Sequence, residues 1–163
     1  MNPPKRIPVY HPTPSLWARV QRTWGWLDWV LDALQAPASL LARLYVAQVF
    51  FASGLTKLRD WGTTVALFTD EYAVPLLSPQ AAAVLGTTGE LVLPALLVLG
   101  LAGRFAALGL SVVNAVAVLS LADIAPAALQ QHITWGVLLA ALAIYGVGRW
   151  AFDTPLRAWL EQK

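Results

Sequence analysis

Four stretches of about twenty residues, nearly free of charge, constrain this chain more than any other feature it has. They run over residues 38–58, 81–101, 105–122 and 131–150. A helix of about 20 residues crosses the roughly 30 Å of hydrocarbon in a bilayer. Hydrocarbon offers the backbone no hydrogen-bond partner, so apolar runs of this length must satisfy themselves as helices. Composition points the same way: of 163 residues, 58% are hydrophobic and 12% charged. A soluble domain carries about a quarter charged residues, and a disordered one is poor in apolar residues. The predicted fold is an all-α membrane protein, a four-transmembrane-helix bundle with an N-terminal amphipathic interfacial helix.

The residues that are missing exclude several chemistries. Cysteine is absent, which removes disulfides, thiol relays, iron–sulfur ligation and c-type haem attachment. Two histidines argue against a His-rich metal site supplied by this chain alone, and no metal is expected. Eleven basic and nine acidic residues leave a net charge of +2, too small and too dispersed for nucleic-acid binding.

Ahead of the first span the chain changes character twice. Residues 1–14 hold five prolines and read as an extended, flexible arm. Lys5 and Arg6 precede no compact apolar run, so the arm does not fit a signal peptide. In residues 15–36, Trp17, Val20, Trp24, Leu27, Leu31 and Leu34 recur in steps of three and four, the seam of an amphipathic helix. Arg19, Arg22, Asp28 and Asp32 fall off that seam. Ser15 is placed to cap it, and Pro37 is expected to stop it nearby. Its Trp residues suit a helix at the headgroup level or one packed on the end of the bundle; neither arrangement spans the bilayer.

Basic residues gather at alternate connections. Lys5, Arg6, Arg19, Arg22 and Arg43 precede or open the first span; Arg104 sits in the turn between the second and third; Arg149, Arg157 and Lys163 close or follow the fourth. The connection 59–80 has Arg59 alone against Asp60, Asp70 and Glu71, and 123–130 has no basic residue. By the positive-inside rule both termini and the 102–104 turn are cytoplasmic.

One carboxylate interrupts a span. Glu90 lies near the middle of the second, where a charge is costly unless paired or protonated. Pro94 follows four residues later and has no amide hydrogen, so the Glu90 carbonyl loses its helical donor. Thr87 and Thr88, one turn earlier, offer hydroxyls to this spot. Lys57, at the end of the first span, is the natural partner: a lysine stem can reach inward to pair with Glu90. That pair serves either chemistry or helix register. Asn114, mid-way along the third span, can bond Glu90 or a ligand carbonyl, or hold two helices together. His132 and Trp135 share one face of the fourth, where His132 can relay a proton, bind a ligand carbonyl or simply meet water. The candidate polar site is therefore Lys57, Glu90, Asn114, His132 and Trp135. Arg43, Pro94, Arg104, Arg149 and Asp153 are assigned structural or orienting roles.

The run RLYVAQVFFASGLTKLRD (residues 43–60) resembles the opening helix of the DoxX family, with its Arg and its G-x-x-K-L-x-D ending. GELVLPALLVLGLAGRFAAL (residues 89–108) is similar to that family's second helix and following turn, with Glu90, Gly100 and Arg104 in register. GVGRWAFD (residues 146–153) resembles the closing G-x-G-R-x-x-x-D, with Arg149 and Asp153. The resemblance spans about 40–155, so residues 37–155 read as a DoxX-like four-helix domain and 156–163 as a cytoplasmic tail. It implies a multi-pass protein of the bacterial cytoplasmic membrane in a redox-linked setting. Leu93-Pro94 stands where many relatives carry glycine, and the extension 1–36 is one the core family does not require.

The expected function is an accessory subunit of a quinone-linked oxidoreductase, with a quinone as the one cofactor suggested; the chain is an enzyme only as part of such an assembly. The alternatives are a non-catalytic anchor or assembly partner for redox or metal-peptide-modifying proteins, and a small permease. Expected partners are the lipid bilayer, proteins docking on 15–35 or on the loop 59–80, and further copies of the chain.

Overall fold

The computed structural model of the protein describes residues 15–154. The proline-rich arm and the tail lie outside them, with Lys5, Arg6, Arg157 and Lys163. Five helices form: α1 (Leu16–Arg59), α2 (Trp61–Asp70), α3 (Pro79–Leu99), α4 (Gly103–Leu119) and α5 (Pro126–Tyr145). No strand occurs among the described residues, apart from an isolated bridge between Tyr72 and Leu121. α1, α3 and α5 are long and apolar enough to cross a membrane, and α4 is a shorter apolar helix. The all-α membrane bundle predicted from the sequence is what the chain forms.

Three boundaries differ from expectation. Pro37 does not end the first helix, which runs unbroken through it. The proline costs the Ala33 carbonyl its donor, but Ala33, Leu34, Ala36, Ala38 and Leu40 around it are strong helix formers that carry the helix across. α1 has 44 residues, more than twice the roughly 20 that cross the hydrocarbon of a bilayer. Second, the connection 59–80 contains a helix, α2. Asp60 caps it, accepting the Thr63 amide at 3.0 Å, and Thr64 and Phe68 form its buried side. Third, the last span begins earlier and ends earlier, at Tyr145, because Gly146 takes φ +92° and ψ 171°, a region open essentially to glycine alone.

By its internal contacts the chain divides after Leu34. In the first unit, every residue of the Trp17–Leu34 apolar seam is exposed, as are Trp26 and Trp29. In the second, α3 packs on α4, α4 on α5, and α2 on α3. Val46 and Phe50 of α1, Leu97 of α3, Leu110 of α4 and Leu139 of α5 meet in its main core. The outer surface of this unit is oily as well: Leu41, Tyr45, Leu55, Val92, Phe105, Leu108, Val137 and Ile144 are all exposed. An apolar exterior around buried Arg43, Glu90 and Asn114 suits lipid as the solvent.

The two ends of the second unit are fastened differently. At one, α3 closes in a Schellman turn: Gly100 N–H donates to the Leu97 carbonyl, and Leu101 N–H to that of Leu96. Asp153, from the segment after α5, then caps α4, its carboxylate accepting the Ala102 amide at 2.8 Å and the Gly103 amide at 2.9 Å. At the other, the Thr64 hydroxyl donates to the Lys57 carbonyl at 2.8 Å. There the Ala73 amide donates to the Ser120 carbonyl at 2.9 Å, so the α2–α3 connection is laced to the end of α4.

Candidate functional site

Lys57 stands in the last turn of α1, with Ser53 one turn before it. Its ammonium donates to both Glu90 oxygens, at 2.7 Å to Oε1 and 2.6 Å to Oε2, and to the Ser53 hydroxyl at 3.0 Å. An ammonium has three protons, so these bonds occupy all of them. The contact is a salt bridge between α1 and α3. The two helices come close here because residue 54 is glycine: a Cβ there would lie 2.9 Å from Leu91 and 3.2 Å from the Glu90 Cβ.

α3 continues through Pro94, which is fully buried. A proline within a membrane helix is tolerated where neighbouring groups accommodate the freed backbone. The expected help from the threonines is not given. The buried Thr87 hydroxyl has no hydrogen-bond partner, and Thr88 is exposed. The Glu90 carboxylate is held by lysine instead. Ser53 was missed, although its place four residues before Lys57 on one helix makes it a neighbour on the same face.

The five residues of the proposed polar site fall into two groups. Lys57 and Glu90 join α1 to α3. Asn114 joins α4 to α5 without reaching Glu90: its amide nitrogen donates to the His132 carbonyl at 3.0 Å, and its oxygen lies 2.7 Å from His132 Nδ1. An amide oxygen can only accept, so this pairing puts a proton on Nδ1, and in the neutral ring Nε2 is then the acceptor. Trp135 meets the His132 ring edge-on at 4.9 Å and Phe50 at 5.9 Å, while its buried indole N–H has no partner. Among the described residues no hydrogen bond links the two groups.

The first group borders a cavity of about 420 Å³. Lys57 and Glu90 form a polar patch on walls supplied largely by Phe68 of α2, Leu85 of α3, and Val112 and Val116 of α4. Tyr72, from the α2–α3 connection, adds a phenol. Burial raises the Tyr72 pKa above its ordinary value, and the negative charges of Glu90 and then Glu71 add to the rise, so the phenol stays protonated as a donor. None of these wall residues was legible as a site residue, because α2 and the laced connection that carries Tyr72 had no sequence signature strong enough to place them.

The orienting residues sit at the other end. Arg43 is fully buried; its Nη2 donates to the Trp150 carbonyl at 2.6 Å and its Nη1 to that of Leu97 at 3.4 Å. A guanidinium against the C-terminal carbonyls of α3 is where the helix dipole favours a cation. Arg104 and Arg149 are exposed. No group of three or more His, Asp or Glu side chains converges as metal ligands among the described residues.

Neither a curated protein nor a solved structure matches the chain. A family model does: DoxX matches residues 38–123, more than half of the 163. The match contains α2, α3, α4 and the Arg43–Lys57 stretch of α1, and ends before the Gly146–Asp153 motif. With the register of Arg43, Lys57, Glu90 and Arg104 inside that match, the chain belongs to the DoxX family of membrane proteins.

Proposed function

We propose that this chain is the membrane subunit of a quinone-linked redox assembly and that the cavity beside Lys57 and Glu90 receives a quinone ring. The observation that carries this reading is the chemistry of the cavity wall. About 420 Å³ of largely apolar space lies within the range of small-molecule sites, which combine an oily wall with a few convergent polar groups. Here those groups are the Lys57–Glu90 pair and the Tyr72 phenol. A quinone supplies reversible two-electron chemistry when bound, and the chain carries no flavin, nicotinamide or iron–sulfur motif, so the electrons come from a partner.

What the residues contribute follows from their hydrogen bonds. Tyr72 has a phenolic proton to give a ligand carbonyl. All three Lys57 protons are engaged, so Lys57 reaches a ligand by releasing Ser53, its neutral partner, which costs less than releasing a carboxylate. Glu90 keeps Lys57 at the cavity wall and accepts whatever proton the ligand carries. Basic residues at the Arg43 end orient that end to the cytoplasm of a bacterial cytoplasmic membrane, leaving the cavity in the outer half.

A solvent extract and absorption spectrum of the detergent-purified protein test the reading. Quinone should co-purify, and Glu90→Gln should deplete it. No bound quinone, together with unchanged activity of the assembly in Glu90→Gln, would remove its basis.

A second reading has its own observation. Trp17, Trp24, Trp26 and Trp29 are each 62–70% exposed, and tryptophan is a residue of interface hot spots. In this reading the helical segment 15–35 anchors a partner protein and the polar pair is structural. Deleting residues 1–36 should then abolish co-purification of the partner, whereas Glu90→Gln should leave it intact.

A further inference from the structure

A second cavity, of about 460 Å³, opens at the Arg43 end, far along the bundle from Lys57 and Glu90. Arg104 from the start of α4, Arg149, Tyr145, Gly146 and Asp153 contribute to its wall. Both guanidiniums are exposed, and neither forms an ion pair among the described residues. The one carboxylate present, Asp153, is already committed to the Ala102 and Gly103 amides. Among the described residues, two cations without an ion-pair partner therefore face one anion whose oxygens are engaged in capping α4.

The wall holds one of these cations in place. A Cβ on Gly146 would lie 3.4 Å from Arg104 Nε and 3.6 Å from its Nη2. The guanidinium thus rests against bare backbone that a larger residue would cover. Tyr145 is in the wall and exposed, and Trp150, Phe152 and Phe105, each next in sequence to a lining residue, are exposed as well; Trp and Tyr collect at the headgroup level of a bilayer. Beneath it, the buried Arg43 has no acidic partner among the described residues and adds its charge to the same end. Arginine suits phosphate because its planar fork can give two parallel hydrogen bonds to one oxyanion.

We propose that the Arg104–Arg149 cavity is a binding site for a phosphate group, supplied by the headgroup of an anionic phospholipid. A free phosphate ion carries the same chemistry, but Tyr145 in the wall and the exposed aromatic residues beside the lining in sequence favour a headgroup with its chains in the adjoining lipid. Basic pockets between membrane helices take anionic headgroups in this manner. The site stands apart from the quinone cavity and does not depend on it.

The full chain in phosphatidylcholine-doped detergent micelles provides the test. Phosphatidylglycerol, phosphatidylcholine or inorganic phosphate is added, bound lipid is read by native mass spectrometry, and stability by thermal unfolding. The expected result is retention of phosphatidylglycerol in preference to phosphatidylcholine by about tenfold or more, a difference of about 1.4 kcal/mol. The Arg104→Gln/Arg149→Gln double variant should lose this preference, and Arg104→Lys/Arg149→Lys should keep part of it. If inorganic phosphate protects the protein and displaces the lipid, the phosphate site stands with a free ion as a competing occupant. Equal retention of both lipids with no response to phosphate would overturn the proposal. So would a folded double glutamine variant that keeps the preference. Should that variant not fold, Arg149→Gln alone decides, because the exposed Arg149 side chain makes no hydrogen bond among the described residues; an unchanged preference in it would count against the site.

Discussion

Arg43 and Lys57 are two cations on one helix, fourteen residues apart in sequence, and the protein handles them in opposite ways. Arg43 is fully buried and takes its compensation from backbone carbonyls of Leu97 and Trp150. Those carbonyls belong to the chain's own turns, so Arg43 pins α1, α3 and the segment after α5 together and has nothing to exchange. Lys57 takes its compensation from a side chain, Glu90, at the wall of a cavity. A side chain can move and share. A charge held by backbone builds structure, while under the proposed function a charge held by another charge at a cavity wall is one that a ligand can share.

The sharpest way to break this comparison is to remove one partner of each arrangement. Glu90→Ala strands the Lys57 charge in the bundle and should cost about 3–5 kcal/mol, as for other broken buried pairs. Lys57→Met/Glu90→Met removes both charges at similar volume and should return stability to near the wild-type level. Unfolding in detergent of Glu90→Ala and of the double variant checks this, and quinone extraction alongside should show loss in both. A double variant as unstable as Glu90→Ala would mean that the pair is chiefly a structural clamp.

Arg43→Met should cost somewhat less, roughly 2–4 kcal/mol, from two charge-assisted hydrogen bonds to carbonyls left inside the fold. No second substitution should rescue it, because no acid is left stranded. If some acidic-to-neutral change restored stability in the same unfolding assay, Arg43 would have a charge partner and the contrast with Lys57 would fail. The smaller fastening at that end is Asp153. Asp153→Ala removes both amide bonds at the start of α4 and should cost about 1–2 kcal/mol, within the range of helix caps. Asp153→Asn keeps one acceptor and should cost less; hydrogen exchange at Ala102 and Gly103 reports the loss directly.

Much of this architecture can be read from the sequence because lipid imposes a simple rule. Apolar runs of twenty residues become helices, and the few charges inside them stand out, so Lys57 and Glu90 could be paired from the pattern alone. Two kinds of feature escaped. α1 passes through Pro37, since a proline signal is only as strong as the helix formers beside it are weak. The cavity wall escaped because it is built by α2, ten residues long, and by Tyr72, whose position depends on the Ala73–Ser120 backbone bond across 47 residues. For Asn114 the sequence leaves open a bond to Glu90, to a ligand carbonyl or to a second helix, and in the structure it joins α4 to α5 through His132: spacing along a helix gives its faces, not which neighbour each face meets.

The smallest effect concerns the cover of the cavity. Asp60 caps α2 by accepting the Thr63 hydroxyl at 2.6 Å and the Thr63 amide at 3.0 Å. These bonds, the hydroxyl's first, hold the Asp60 carboxyl below its ordinary pKa. A depressed folded-state pKa means the folded protein prefers the ionised form. The cap's contribution is therefore complete above the ordinary aspartate range and fades as pH falls through the folded-state value, below that range. α3 is capped by the Ser78 hydroxyl, which does not titrate there. On acidification, amide exchange in the first turn of α2 should accelerate relative to the first turn of α3, and Asp60→Asn should remove the difference. Asp60 is exposed, so the change should be modest and confined to α2. If α2 and α3 loosened together, α2 would be part of the rigid bundle and not a separately weakened cover over Lys57 and Glu90.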